Sequence, residues 1–110
     1  MQNLHDYIKY LKLKRTINLR IITRKNRFAD AEYEPEYSDK TGKLIGHNIT
    51  IYLRDNSREF NTLLAHELIH AWQEENKKSE IHGPYFIKYA RKMERDFNLR
   101  EVYIPDVDTD

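Results

Sequence analysis

The hydrophobic pattern of this chain changes period once, near residue 54, and that change limits the folds open to it. Before it, apolar and polar residues alternate in three runs. Ile17, Leu19 and Ile21 alternate with Asn18 and Arg20; Ala29, Ala31, Tyr33 and Tyr37 with Asp30, Glu32, Glu34 and Glu36; and Ile45, His47, Ile49, Ile51 and Leu53 form the third run. A period of two marks a strand with one buried face, so strands are expected over roughly 17–24, 28–37 and 44–53. After residue 54 the period becomes helical. Leu63, Leu64, Leu68 and Trp72 share one helix side, and Phe86, Ala90, Met93 and Phe97 share another. These predict helices over roughly 57–77 and from Gly83-Pro84 onward. Leu4, Tyr7, Ile8 and Leu11 predict a short helix over 3–13 at the N-terminus. Strands clustered ahead of helices point to an α+β domain: an N-terminal helix, a three-stranded and mostly antiparallel sheet, and two further helices.

Local signals sharpen these boundaries. Pro35 lacks an N–H for a ladder, so its strand ends at an edge or in a loop. The polar stretch 38–43, with Gly42, suits a hairpin turn. Asn56 and Glu59 have the spacing of a capping box, and Lys77 and Lys78 suit a helix C-terminus. Pro84 fits the first position of a helix, where its missing N–H costs nothing. Residues 101–105 read as extended, and the acidic tail 105–110 as frayed, with Asp106, Asp108 and Asp110 weighed as carboxylates for a metal. At 110 residues, one domain over 1–110 is expected.

Composition narrows the chemistry. The chain has no cysteine, which excludes disulfides, thiol nucleophiles and Cys-ligated zinc or iron–sulfur sites. It contains no apolar run near the roughly 18 residues of a membrane span. Charges interrupt residues 1–13, so no signal-peptide core is read there. The expectation is a soluble, cytoplasmic protein with no membrane partner. The net charge of +1 hides an asymmetry: residues 1–28 hold eight basic groups and one acid. The basic segment 9–27 is therefore a candidate nucleic-acid contact, although near-neutral overall charge argues against a wholesale nucleic-acid binder.

His66-Glu67-Leu68-Ile69-His70 carries the chemistry. Positions i and i+4 stand one above the other on a helix face, so both imidazoles can reach one metal ion while Glu67 reaches a water beside it. A catalytic zinc needs three protein ligands and one open position. His82, past the helix end, is the nearest further imidazole; Glu94, Glu80 and Glu74 are the carboxylate alternatives. Tyr85, Tyr89, Tyr103 and His47 are candidates for stabilising an oxyanion, and the strand over 44–53 for pairing with an extended substrate.

His66-Glu67-Leu68-Ile69-His70-Ala71-Trp72, followed by His82-Gly83-Pro84-Tyr85-Phe86, resembles the SprT-like (Spartan-type) zinc metallopeptidases. They share an H-E-x-x-H-A motif and a downstream H-G-P-x-F segment. The likeness covers roughly residues 44–97. It implies a minimal zincin-like domain with one zinc ion bound by His66, His70 and His82. It also implies peptide-bond hydrolysis by a zinc-activated water, with Glu67 as general base, on a protein or peptide substrate. The Cys-rich ribbon of many members has no counterpart in a chain without cysteine. Two other functions compete with this one: a DNA-associated protein acting through 9–27, and a non-catalytic zinc-stabilised interaction domain. Glu67 discriminates, since a structural metal has no use for a base beside its ligands.

Overall fold

A computed structural model describes residues 3–23, 30–53, 58–105 and 108. In chain order the elements are α1 (Asn3–Leu11), β1 (Thr16–Ile22), β2 (Ala31–Tyr37), β3 (Leu44–Tyr52), α2 (Phe60–Glu75) and α3 (Pro84–Phe97). This is the α+β order expected from the hydrophobic periods. Arg24, Lys25, Arg27, Phe28 and Asn56 lie outside the described residues, so the outer ends of two strands, part of the basic segment and half of the capping box do too. Glu59 is the α2 N-cap, and no side-chain hydrogen bond caps that helix.

The sheet order is β1-β3-β2. The last strand enters the middle slot, parallel to β1 from Thr16↔Gly46 to Ile22↔Tyr52 and antiparallel to β2 from Ala31↔Ile51 to Tyr37↔Leu44. The sheet is therefore mixed, with one parallel pair, where a mostly antiparallel one was expected. The 38–43 turn makes β2 and β3 a hairpin: the Lys43 carbonyl accepts from the Ser38 N–H, and Gly42 takes φ +70. The same order corrects the expectation that the strand over 44–53 pairs with substrate. β3 uses both of its ladders within the sheet, and the edges belong to β1 and β2.

One core joins all the layers. Ile49 and Ile51 of β3 meet Leu63, Leu64, Leu68 and Ile69 of α2, together with Phe86, Ala90 and Met93 of α3 and Tyr7 and Leu11 of α1. Every residue from Thr62 to Ala71 is buried, so α2 is a central helix covered on all sides. The polar residues in that span are therefore held away from water, which is costly unless other groups meet them. α3 begins with Gly83 as N-cap and Pro84 in its first turn, and closes on Asn98 in the left-handed region. Beyond it, fully buried Val102 anchors the chain. The tail is not frayed at Asp108, whose carboxylate pairs with Arg58 and accepts from the Ile104 N–H.

Candidate metal centre

Burial of α2 sets the environment of the motif. His66, Glu67 and His70 are only 3%, 4% and 8% exposed. His82 comes from the turn between α2 and α3. That turn is short because Lys77 takes φ 56 just after the helix and the Gly83 N–H closes onto the Glu80 carbonyl. The chain thus doubles back and brings His82 over the helix face. Its ring centroid lies 5.3 Å from that of His66 and 5.2 Å from that of His70. Phe86, one turn into α3, packs on all three imidazoles.

The outward nitrogens of the two motif histidines have defined partners. His66 Nδ1 donates to the Val102 carbonyl at 2.6 Å. His70 Nδ1 lies 2.9 Å from Gln73 Oε1, and Gln73 Nε2 donates to the Glu80 carbonyl at 2.8 Å. With its amide nitrogen so engaged, Gln73 presents oxygen to His70, which makes Nδ1 the protonated nitrogen. Both Nδ1–H tautomers leave the Nε2 lone pairs to face one another.

Those Nε2 atoms converge. His66 Nε2 is 3.3 Å from His70 Nε2 and 3.4 Å from His82 Nε2, and ligand atoms of all three residues lie within 4.8 Å of one another. Two imidazole lone pairs at such a distance repel unless a cation lies between them. A tetrahedral zinc with Zn–N bonds of about 2.0–2.1 Å would hold its ligand nitrogens about 3.3–3.4 Å apart. The donor set, the tautomers of His66 and His70, and the two separations from His66 Nε2 therefore fit a zinc ion.

The remaining candidates fall elsewhere. Glu94 Oε2 accepts from the Val102 N–H and from Arg91, which ties α3 to the segment that orients His66. Glu74 accepts from the Tyr37 hydroxyl, and Glu80 enters through its backbone carbonyl. Among the described residues, the group able to hold a metal is His66, His70 and His82. Of the tyrosines, Tyr103 meets a triad ring, 4.8 Å from His82, whereas Tyr85 and Tyr89 gather around Trp72. Asp108 stands behind the triad, with Oδ2 3.9 Å from His66 Nδ1. Burial pushes its carboxyl up, but hydrogen bonds from Arg58 and the Ile104 N–H outweigh this and hold it below the usual range.

His47 takes a different part from the oxyanion donor considered for it. Fully buried in β3, it bridges the Tyr33 hydroxyl at Nδ1 and Glu75 Oε2 at Nε2, both at 2.8 Å. Burial pushes the Tyr33 phenol up, and Glu74 and Glu75 add to the effect. Burial also raises the Glu75 carboxyl, but His47 and the backbone N–H groups of Lys14 and Arg15 together hold it below its ordinary value. This chain ties β2, β3 and α2 together, and the Tyr33 ring lies against His70 at 6.2 Å. Tyr33 and Pro35 of β2 then face Glu67, His70 and Gln73 across a cleft of about 320 Å³.

Gln73 was not a candidate from the sequence, and its signal there is faint: a Gln three residues past the motif, on the same helix side. Its replacement by Leu keeps volume and removes the acceptor on His70. Zinc affinity is expected to fall about 10–100-fold, read by competition against a chelator of known affinity, with the fold retained by circular dichroism.

Comparison with known proteins adds one finding. The family model described as SprT-like family matches residues 1–105. No curated protein and no solved structure matches the chain.

Proposed function

The chain belongs to the SprT-like family, and on that premise we propose that it is a zinc-dependent metallopeptidase of the zincin type. The observation that carries this reading is the convergence of His66, His70 and His82, with His66 Nε2 3.3 Å and 3.4 Å from the Nε2 atoms of the other two and the Glu67 carboxylate next in chain to His66 and lining the same cleft as His70.

His66, His70 and His82 would hold the metal. When bound, zinc supplies a Lewis acid that polarises the scissile carbonyl and draws the pKa of its water to about 7. Glu67 handles the proton, taking it from the attacking water and delivering it to the leaving amine. Its burial favours this, because a carboxylate with little competing solvent is a stronger acceptor. Of the tyrosines considered for the developing oxyanion, Tyr103 is the candidate favoured here, because its ring lies against His82. β2 forms the cleft wall with Tyr33 and Pro35, and among the described residues no strand pairs with its outer edge. An extended polypeptide would lie along that edge. No helix among the described residues is long and apolar enough to cross a membrane.

The zinc-loaded chain is expected to cut an unfolded protein such as casein, to stop when the metal is chelated, and to resume when zinc is restored. A melting temperature that depends on zinc, with no cleavage at any loading, would instead identify a zinc-stabilised interaction domain.

A further inference from the structure

The cleft beside the histidine triad does not end at His70. Gln73, Glu74, Lys78 and Ser79 line both it and a larger groove of about 760 Å³ that continues along the C-terminal end of α2. That volume lies within the range of about 300–1,000 Å³ that buries a drug-sized ligand. The walls of the groove are basic and come from three separate places in the chain. Lys14 and Arg15 lie between α1 and β1, Lys43 at the β2–β3 turn, and Lys77 and Lys78 just after α2.

Two carboxylates also line the groove, Glu74 and Glu75, and both are committed internally. Glu75 accepts from His47 and from the backbone N–H groups of Lys14 and Arg15. Glu74 accepts from the Tyr37 hydroxyl. Cations thus outnumber carboxylates five to two, and Glu75 fastens the Lys14-Arg15 turn to the same helix that carries His66 and His70. The basic wall is built onto the catalytic helix.

Building on the metallopeptidase reading, we propose that this groove is a substrate subsite for an acidic stretch of polypeptide, which it holds beside the bond to be cut. β2 links the two regions, since Tyr33 and Pro35 border the cleft beside His70 and Tyr37 borders the groove. At a strand rise of about 3.3 Å per residue, a chain extended along β2 reaches the groove about two to four residues from the cleft. Positive potential in a walled groove raises the local concentration of an acidic chain and fixes its register. A polypeptide fits better than single-stranded nucleic acid. Nucleic acid draws on aromatic stacking platforms, and the one aromatic ring among the described lining residues, Tyr37, is tethered by its hydroxyl to Glu74.

The test uses matched fluorogenic peptides around one scissile bond, with Glu, Gln or Lys clusters two to four residues away on either side. For wild-type protein loaded with zinc, kcat/KM on the Glu peptide is expected to exceed that on the Gln peptide tenfold or more, on one side of the bond. The preference should shrink as salt rises. In the Lys43→Glu/Lys77→Glu variant, its folding checked by thermal melting, the Glu-to-Gln ratio is expected to fall to one or below. Equal rates on Glu and Gln peptides on both sides would overturn the subsite and leave the peptidase reading standing. Binding of the same peptides to Glu67→Gln protein, read by fluorescence anisotropy, separates the two failures. Tighter binding of the Glu peptide without cleavage by wild-type protein would overturn the peptidase reading alone, and equal binding would overturn the subsite. A single-stranded oligonucleotide that displaces the Glu peptide at lower concentration than the peptide itself would also overturn it, in favour of a nucleic-acid groove.

Discussion

Replacing Glu67 with Gln is expected to reduce kcat on any cleavable peptide by about 10²–10⁴-fold while zinc stays bound at one equivalent. The two side chains have the same shape, and Glu67 is not among the triad that converges on the metal position. The substitution therefore leaves the imidazoles and their tautomers in place. What it removes is a group able to take a proton from water and return it to an amine, and an amide does neither at neutral pH. Parallel measurement of zinc stoichiometry and of hydrolysis of a fluorogenic peptide separates this loss from loss of metal. Unchanged hydrolysis would exclude Glu67 as the base.

Replacing His66 with Ala is expected to abolish both zinc binding and cleavage. His66 is the hub of the triad, with its Nε2 within 3.4 Å of the Nε2 atoms of both His70 and His82. Its Nδ1 is also the donor that the Val102 carbonyl fixes. Its loss leaves two protein ligands where a catalytic zinc needs three, so the fall in affinity should exceed the about 10–100-fold cost of losing a supporting partner. The melting temperature supplies an independent reading. A ligand at about 1,000 times its Kd stabilises the native state by about 4 kcal/mol, so wild-type protein should melt higher with zinc than without. The variant should melt alike in both conditions. A zinc-dependent rise equal to wild type would place the metal elsewhere.

How far the sequence reaches can be judged residue by residue. The strands over 16–22, 31–37 and 44–52 and the helices over 60–75 and 84–97 are all announced by hydrophobic period, but burial follows that period only in part: α2 buries every residue from Thr62 to Ala71, and Ile21 of β1 and Ile45 of β3 stay exposed. The i, i+4 spacing of His66 and His70 carries over directly, since it depends only on local helix geometry. Sheet order does not follow from period. Nothing in the alternation of Ile45, His47, Ile49 and Ile51 says that β3 takes the central slot; the two of its residues that join the core cluster, Ile49 and Ile51, face the helices whichever strands flank it. The supporting groups are harder still. Val102 orients His66 through a backbone carbonyl, which every residue has, so no side-chain pattern announces it. Gln73 acts through a tertiary link to the Glu80 carbonyl. His47 looks like any polar interruption in a strand until Tyr33 and Glu75, 14 and 28 residues away in sequence, are brought to its two nitrogens. Asp108 belongs to a tail whose composition suggests fraying, and the Arg58 guanidinium, 50 residues earlier, seats it.

The most direct test of the zinc centre is anomalous scattering at the zinc edge from crystals of the zinc-loaded chain. The structure predicts one peak about 2.0–2.1 Å from Nε2 of His66, His70 and His82, with the Glu67 carboxylate outside bonding distance. A peak ligated by Glu94 in place of His82, or none among the three imidazoles, would contradict it.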